Sequence, residues 1–292
     1  MSSQTIIMRM LLIAVVLALA AQLGRSQAAQ NEGQATAPPG SAVPRIVFEK
    51  YTLPNGLQVI LHVDHKLPMV HVNNWYHIGS KNERLGRSGF AHLFEHMMFE
   101  GSKDANAKYF GFIEKAGANL FEGGVNGTTS EDRTNYFESV PSGSLEYVLW
   151  LESDRLATLT DVLTKEKLDN ERDIVKNERR QGLENEPYGR WYMLVQENLF
   201  PYGHPYAHTV IGSHEDLTAA SVDDVKDFFK SYYTPNNLSL AITGDFDVAE
   251  AKRLVAKYYG PIPPGPALDR PKHWVPVLTA EKIIEAKDHV PQ

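Results

Sequence analysis

Two histidines spaced four residues apart constrain this chain more than any other feature of its sequence. In a helix, His92 and His96 fall on one face, about one turn from each other. Neutral imidazoles on such a face can bind one divalent metal ion, and zinc is the usual occupant. Glu95 lies directly before the second histidine, from where it can reach a water beside the metal without being a ligand. The segment therefore predicts a short helix that carries a metal site.

The residues around the histidines favour a helix with a buried face. Apolar residues recur at helical spacing between flanking glycines, and polar side chains on a buried face need partners such as a metal ion. The order H-x-x-E-H is also the inverted form of the zinc-peptidase pattern H-E-x-x-H, in which the glutamate accepts a proton. The alternative is a helix that merely carries two surface or core histidines. The apolar residues are Phe90, Leu93, Phe94, Met97 and Met98.

A catalytic zinc takes three protein ligands, so a third ligand must come from another element. The best candidate segment is Lys165–Glu184, which is rich in good helix formers. Glu171 and Glu178 lie seven residues apart, hence on one helix face two turns apart. Ile174 and Val175 between them predict that this face points inward. The alternative is a solvated, charged helix with Glu–Arg pairs within it.

The N-terminal residues predict a secretory signal peptide. Arg9 precedes twelve apolar residues, Met10–Ala21, which are too few for a bilayer span of about 20 residues. Small-residue cleavage patterns occur at Ala18–Ala20 and Ser26–Ala28, and we favour the second, so residues 1–28 form the predicted signal peptide. The protein is then secreted or periplasmic, with no membrane span after removal of the signal. An uncleaved membrane anchor is the alternative.

Composition limits what the rest of the chain can be. Residues 29–45 are rich in Gly, Pro, Ala and Ser and are predicted to be a flexible linker, which leaves 46–292 as the folded domain. The chain has no cysteine, so this domain depends on an apolar core rather than on disulfides. The net charge of −7 is spread along the chain without a basic stripe, so nucleic acid is not an expected partner.

Strand and helix patterns together predict an α+β fold, a two-layer sandwich of a largely antiparallel sheet with helices on one face. A hairpin is predicted over Tyr51–Leu61, with Asn55-Gly56 at its turn. Ser221 and Asp247 are predicted to cap helices, and Trp191 and Tyr192 are expected in the core. Further strands are predicted at Val70–Ile78, Asn135–Val140 and Leu238–Gly244, and further helices at Ser144–Leu159, Ser221–Tyr233 and Val248–Tyr259.

Three segments carry a resemblance to a known family: HLFEHMMFEGS, NGTTSEDRTNYFESVP and ERDIVKNERRQGLENEPYG. The chain resembles peptidase family M16, the group of insulinase, pitrilysin and the mitochondrial processing peptidase, and most of all its bacterial zinc proteases. The resemblance runs in order from about Phe48 to about Pro291. It implies the processing-peptidase fold and a zinc metalloendopeptidase that cleaves short or unfolded polypeptides.

The resemblance also implies roles for six residues. Glu95 is the general base, and Glu171 supports the site from behind the metal ligands. Asn126, in the segment GGVNGTT, holds the backbone of the substrate. The implied ligands of one zinc ion per chain are His92, His96 and Glu178.

Members of this branch usually carry two homologous halves, of which the first binds zinc and the second contacts substrate. The sequence ends at Gln292, about where the linker to a second half would begin, so we expect the metal-binding half alone. Its partner half would be a separate chain or a second copy, or the chain is a shortened product. Besides a zinc endopeptidase, a non-catalytic or partner-dependent peptide-binding subunit and a metal-binding envelope protein remain open. An intact Glu95 favours the enzyme, because metal binding alone needs no general base.

Overall fold

The computed structural model describes residues 46–288 apart from residues 122, 269 and 271–274. The predicted signal peptide and linker, residues 1–28 and 29–45, lie outside the described residues, and the domain boundaries stay predictions. In the part of the chain that is described, no helix is both long enough and apolar enough to cross a membrane.

Six strands form one open, mixed sheet in the order β1-β2-β6-β3-β5-β4. All neighbouring strands pair antiparallel except β2 and β6, which are parallel. The predicted hairpin and the three further predicted strands are confirmed to within a few residues. The strands are β1 (Glu49–Thr52), β2 (Gln58–Val63), β3 (Met69–Tyr76), β4 (Val125–Thr129), β5 (Thr134–Pro141) and β6 (Leu238–Gly244).

Alternation of burial along the central strands shows which face of the sheet is covered. In β3, Val70, Val72 and Tyr76 are buried, whereas Trp75 is exposed and His71 is half-buried. Successive side chains of a strand point to opposite faces, so this period of two marks one face packed under helices and one open face. The predicted α+β class with helices on one face of a largely antiparallel sheet is confirmed.

The described residues form eight α-helices. A capping box closes the start of α7, where Ser221 and Asp224 each accept a backbone hydrogen bond from the other, and Asp247 caps α8, as predicted. The helices are α1 (Phe90–Met97), α2 (Tyr109–Lys115), α3 (Leu145–Val162), α4 (Lys165–Arg179), α5 (Trp191–Leu199), α6 (His214–Ala219), α7 (Val222–Tyr232) and α8 (Val248–Tyr258). A π-helical turn, Arg180–Glu184, continues α4.

Two predictions about burial are wrong. Ile174 is 40% exposed, because it and Val175 lie on opposite sides of the line through Glu171 and Glu178, and α4 buries the Val175 side. Trp191 is 61% and Tyr192 44% exposed, because α5 lies at the surface and Gln196 is its buried residue.

Candidate metal centre

The start of α1 fixes the direction of the helix that carries both histidines. Gly89 precedes it with a φ of 86°, a left-handed conformation that favours glycine, and a Cβ there would lie 2.7 Å from Ile211 O. The carboxylate of Glu83 accepts hydrogen bonds from the N–H groups of Gly89 (3.0 Å) and Ala91 (2.7 Å). These donors have no partner within the helix, so Glu83 completes its first turn.

The apolar residues of α1 enter the core and turn its two histidines towards α4. Leu93 and Met97 are fully buried, whereas His92 and His96 are half-buried on the other side. Because α1 packs against α4, the imidazoles lie opposite Glu178, close to the C-terminal end of α4. The packing of two helices therefore brings together residues that are more than eighty positions apart in the chain.

The three predicted ligands converge on one point. Oε2 of Glu178 lies 3.7 Å from Nε2 of His92 and 3.4 Å from Nε2 of His96. The ligand atoms of the three residues all lie within 4.8 Å of one another. Zinc bonds of about 2.0–2.1 Å in a tetrahedron would separate the ligand atoms by about 3.3 Å. Two imidazole nitrogens and one carboxylate oxygen at this spacing therefore fit a catalytic zinc ion.

Glu171 lies beside His96, on the side of Nδ1. Its Oε2 is 3.2 Å from Nδ1 of His96, and its side chain is almost fully buried. Burial lowers the pKa of His96, but the hydrogen bond with Glu171 and the charges of Glu178 and Glu95 outweigh this, so that the pKa is raised. The Glu171 carboxylate thus fixes which ring nitrogen of His96 faces Glu178.

His92 is held differently from His96. Its Nδ1 is buried without a hydrogen-bond partner among the described residues. Burial and the neighbouring His96 lower the pKa of His92 to about 4, which keeps the ring neutral and its nitrogen free to bind a metal.

Glu95 lies on α1 next to strand β4. Oγ1 of Thr129 donates a hydrogen bond to Oε2 of Glu95. Gly127 leaves room for the same side chain, because a Cβ there would lie 3.0 Å from Glu95 Cγ and 3.2 Å from its Oε1. Burial raises the pKa of Glu95, which makes its carboxylate a stronger base. Thr129 and Gly127 were not among the predicted site residues, although both lie in the GGVNGTT segment that contains Asn126.

Asn126 lies apart from this cluster of side chains. It is exposed on β4, an outer strand of the sheet, and its Oδ1 accepts a hydrogen bond from Gly127 N at 2.9 Å. The next residue of β4, Gly127, packs against Glu95, so Asn126 lies one residue along this outer strand from the contact with Glu95.

Comparison with known proteins identifies the family. Residues 58–201 match the family model described as insulinase (peptidase family M16), and residues 219–292 match the model of the peptidase M16 inactive domain. The chain belongs to peptidase family M16. Zinc protease PqqE of Helicobacter pylori is 34% identical to this M16 chain over 212 residues, 72% of this chain and 46% of PqqE.

Two solved structures extend this similarity to the fold. A protease from Helicobacter pylori aligns with a TM-score of 0.71 and 29% identity over 79% of the M16 chain and 54% of its own. The first half of the periplasmic protease PqqL from Escherichia coli aligns with a TM-score of 0.69 and 26% identity, covering 80% and 50% respectively. The M16 chain thus spans about half the length of these relatives.

Proposed function

We propose that this M16 chain is a zinc-dependent metalloendopeptidase that hydrolyses peptide bonds in short or unfolded polypeptides. The observation that carries the proposal is the convergence of His92, His96 and Glu178 beside the buried carboxylate of Glu95. The family has domains described as inactive, and Glu95 is the residue that favours catalysis here. A site that only bound metal would need no general base.

The metal ligands would be Nε2 of both histidines and the carboxylate of Glu178. A zinc ion held there would polarise the peptide carbonyl and lower the pKa of water towards neutrality. Glu95 would accept the proton of the attacking water at its carboxylate and then pass it to the departing amine. Thr129 holds one oxygen of Glu95, which would leave the other oxygen to accept the proton.

Asn126 and the free edge of β4 would bind the backbone of the substrate. An extended peptide can join an outer strand through main-chain hydrogen bonds, and an exposed amide such as that of Asn126 can add one more. Because Gly127 on the same strand faces Glu95, a peptide bound there would run past the general base.

Zinc content and peptide hydrolysis, measured on the same samples, test this function. We expect about one zinc per chain, retained in Glu95→Gln, with hydrolysis of an unstructured peptide lower by at least 10²-fold. Glu114→Gln, at an exposed position of α2, is the matched control and should keep both properties. Near-normal hydrolysis by Glu95→Gln would exclude Glu95 as the base.

A second candidate function is a peptide-binding subunit that depends on a partner. It is favoured by the two-half architecture of the relatives, of which the chain covers 46% of PqqE and 50% of the first half of PqqL. The partner would be another M16-type half, supplied by a separate chain or by a second copy.

We propose a secreted or periplasmic location. The pattern of residues 1–28 supports it, as does the similarity to PqqL, which is described as a periplasmic protease. A membrane anchor formed by an uncleaved N-terminal segment is the alternative. Cell fractionation with N-terminal sequencing of the mature protein distinguishes the two, because an anchored chain would stay with the membranes and keep Met10–Ala21.

A further inference from the structure

The carboxylate behind His96 is itself held by a lysine and a second glutamate. Nζ of Lys108 lies 3.5 Å from Oε1 of Glu171 and 2.9 Å from Oε1 of Glu100. Lys108 directly precedes α2, and Glu100 follows the end of α1. The chain of contacts therefore runs from Lys108 through Glu171 to Nδ1 of His96, whose Nε2 faces Glu178.

The burial of these groups is unequal. The side chains of Glu100 and Glu171 are 8% and 6% exposed, whereas that of Lys108 is 67% exposed. Two buried carboxylates near one ammonium attract it. Glu100 and Glu171 share a hydrogen bond, but their charges repel each other, so removal of the ammonium leaves that repulsion unbalanced. Glu171 can relieve that repulsion by moving away from Glu100, and such a move would change its contact with His96.

The two histidines differ in what holds their rings, so the contact between Glu171 and His96 affects the metal centre. Nδ1 of His92 has no hydrogen-bond partner in the described part of the chain, so no carboxylate holds that ring from behind. The ring of His96 is oriented by the Glu171 carboxylate. Carboxylates that accept a hydrogen bond from the ring N–H of a metal-binding histidine fix its tautomer and its direction. The metal affinity of the centre should therefore respond to displacement of Glu171.

We propose that Lys108 and Glu100 are positioning residues of the metal centre. Glu100 anchors the Lys108 ammonium, and Lys108 holds the Glu171 carboxylate against Nδ1 of His96, so that Nε2 points to the metal position. Neither residue touches the metal or the substrate. This inference rests on the proposed function, because it needs a zinc ion bound by His92, His96 and Glu178.

The first measurement is zinc affinity by competition with a chromophoric chelator, without any assay of activity. Lys108→Met should weaken zinc binding about 10-fold, at the lower end of the range for residues behind metal ligands. Lys108→Arg keeps a cation at the same place and should restore most of the affinity. Lys103→Met, the same loss of charge at an exposed position five residues away, is the control and should leave affinity unchanged. Thermal unfolding of the metal-free proteins checks that each variant is folded before its zinc affinity is compared.

A double-mutant cycle then asks whether Lys108 acts through Glu171. With Glu171→Gln present, Lys108→Met should have no further effect on zinc affinity. An equal loss in both backgrounds overturns the proposal, as does an unchanged affinity of Lys108→Met in a protein that otherwise binds zinc. A wild-type chain that binds no zinc would instead overturn the proposed function itself, so the two failures are distinguishable.

Discussion

Thr129 donates a hydrogen bond to the carboxylate of Glu95 from a different element of the fold, thirty-four residues further along the chain. The hydroxyl belongs to strand β4 and the carboxylate to helix α1, so the aim of the proposed base depends on how these two elements pack. A hydrogen bond to a charged group is worth about 1.5–3 kcal/mol, and each 1.4 kcal/mol is a tenfold change in rate.

Thr129→Val should therefore lower kcat/KM for an unstructured peptide by about tenfold or more while zinc content stays unchanged. Valine keeps the shape of threonine and removes only the hydroxyl. Thr128→Val is the matched control, because its hydroxyl contacts Asn135 on the neighbouring strand rather than Glu95. Loss of zinc from Thr129→Val would show that the hydroxyl supports the ligands and not the base.

Gly127→Ala should displace Glu95 by steric pressure. The new Cβ would lie 3.0 Å from Glu95 Cγ and 3.1 Å from the ring of Phe99, which is closer than most real Cβ contacts. We expect reduced peptide hydrolysis with normal zinc content, measured by elemental analysis of the assayed sample. Gly143→Ala, where a Cβ meets nothing within 4 Å, should behave as wild type. Full activity of Gly127→Ala would mean that Glu95 tolerates a shift.

Glu178→Gln and Glu171→Gln should differ in zinc affinity. In the proposed centre, Glu178 gives an oxygen to the metal and Glu171 only orients His96, so Glu178→Gln should lose most of its zinc. Glu171→Gln should lose about 10–100-fold in affinity, as expected for a residue behind a ligand. Competition with a chelator measures the zinc affinity of the two variants under the same conditions. Equal losses would mean that both glutamates coordinate the metal, and a larger loss in Glu171→Gln would mean that their roles are exchanged.

Glu138→Gln should stabilise the metal-free protein at neutral pH. Glu138 is fully buried beside Glu152, Arg155 and Tyr109, and one of its oxygens has no hydrogen-bond partner in the described residues. Burial and the charge of Glu152 hold the pKa of Glu138 well above its usual range. The folded state then binds a proton that the unfolded state has released, so stability falls as pH rises above the unfolded value of about 4.3.

Urea unfolding between pH 4.5 and pH 8 measures this effect. The gain from Glu138→Gln should be largest at the high end of the range and should shrink towards the low end, where the unfolded state of the wild type also begins to hold the proton. Glu146→Gln, at a glutamate that pairs with Lys257 on the surface, is the control. A gain that does not vary with pH would exclude titration of Glu138 as its cause.

Peptide hydrolysis per chain should rise with protein concentration if a second copy completes the site. Positioning of a peptide and exclusion of water both aid catalysis, and a partner that restores them should add on the order of 10²-fold in kcat/KM. Exposed aromatic residues, including Phe121 at 95% and Trp191 at 61% exposure, offer surfaces for association. Light scattering on the assayed samples gives the mass, and full activity in a strictly monomeric sample would contradict this prediction.

Helical geometry explains which candidate site residues share a helix face, whereas the separate roles of Glu171 and Glu178 were predicted from the family resemblance. The spacing of His92 and His96, and that of Glu171 and Glu178, each fix one helix face, and the capping residues Ser221 and Asp247 follow local rules. The strands were likewise predictable from alternating apolar and polar residues, because burial of one face of a sheet imposes a period of two.

Contacts between distant segments were not predictable in the same way. The pairing of Thr129 with Glu95 and that of Lys108 with Glu171 depend on tertiary packing, which leaves no local pattern in the sequence. The exposure of Trp191 has a similar cause, because an aromatic side chain does not itself reveal whether another element covers it.

The free edge of β4 has a consequence for which proteins this centre would cleave. Backbone hydrogen bonds to an outer strand are available only to a chain whose own amides are not already paired. A natively folded substrate would expose such a stretch only while a segment of it is transiently open, and the free energy of that opening varies from place to place along a protein. The cleavage rate of a target would then depend more on how often the target locally unfolds than on the side chains that flank the scissile bond.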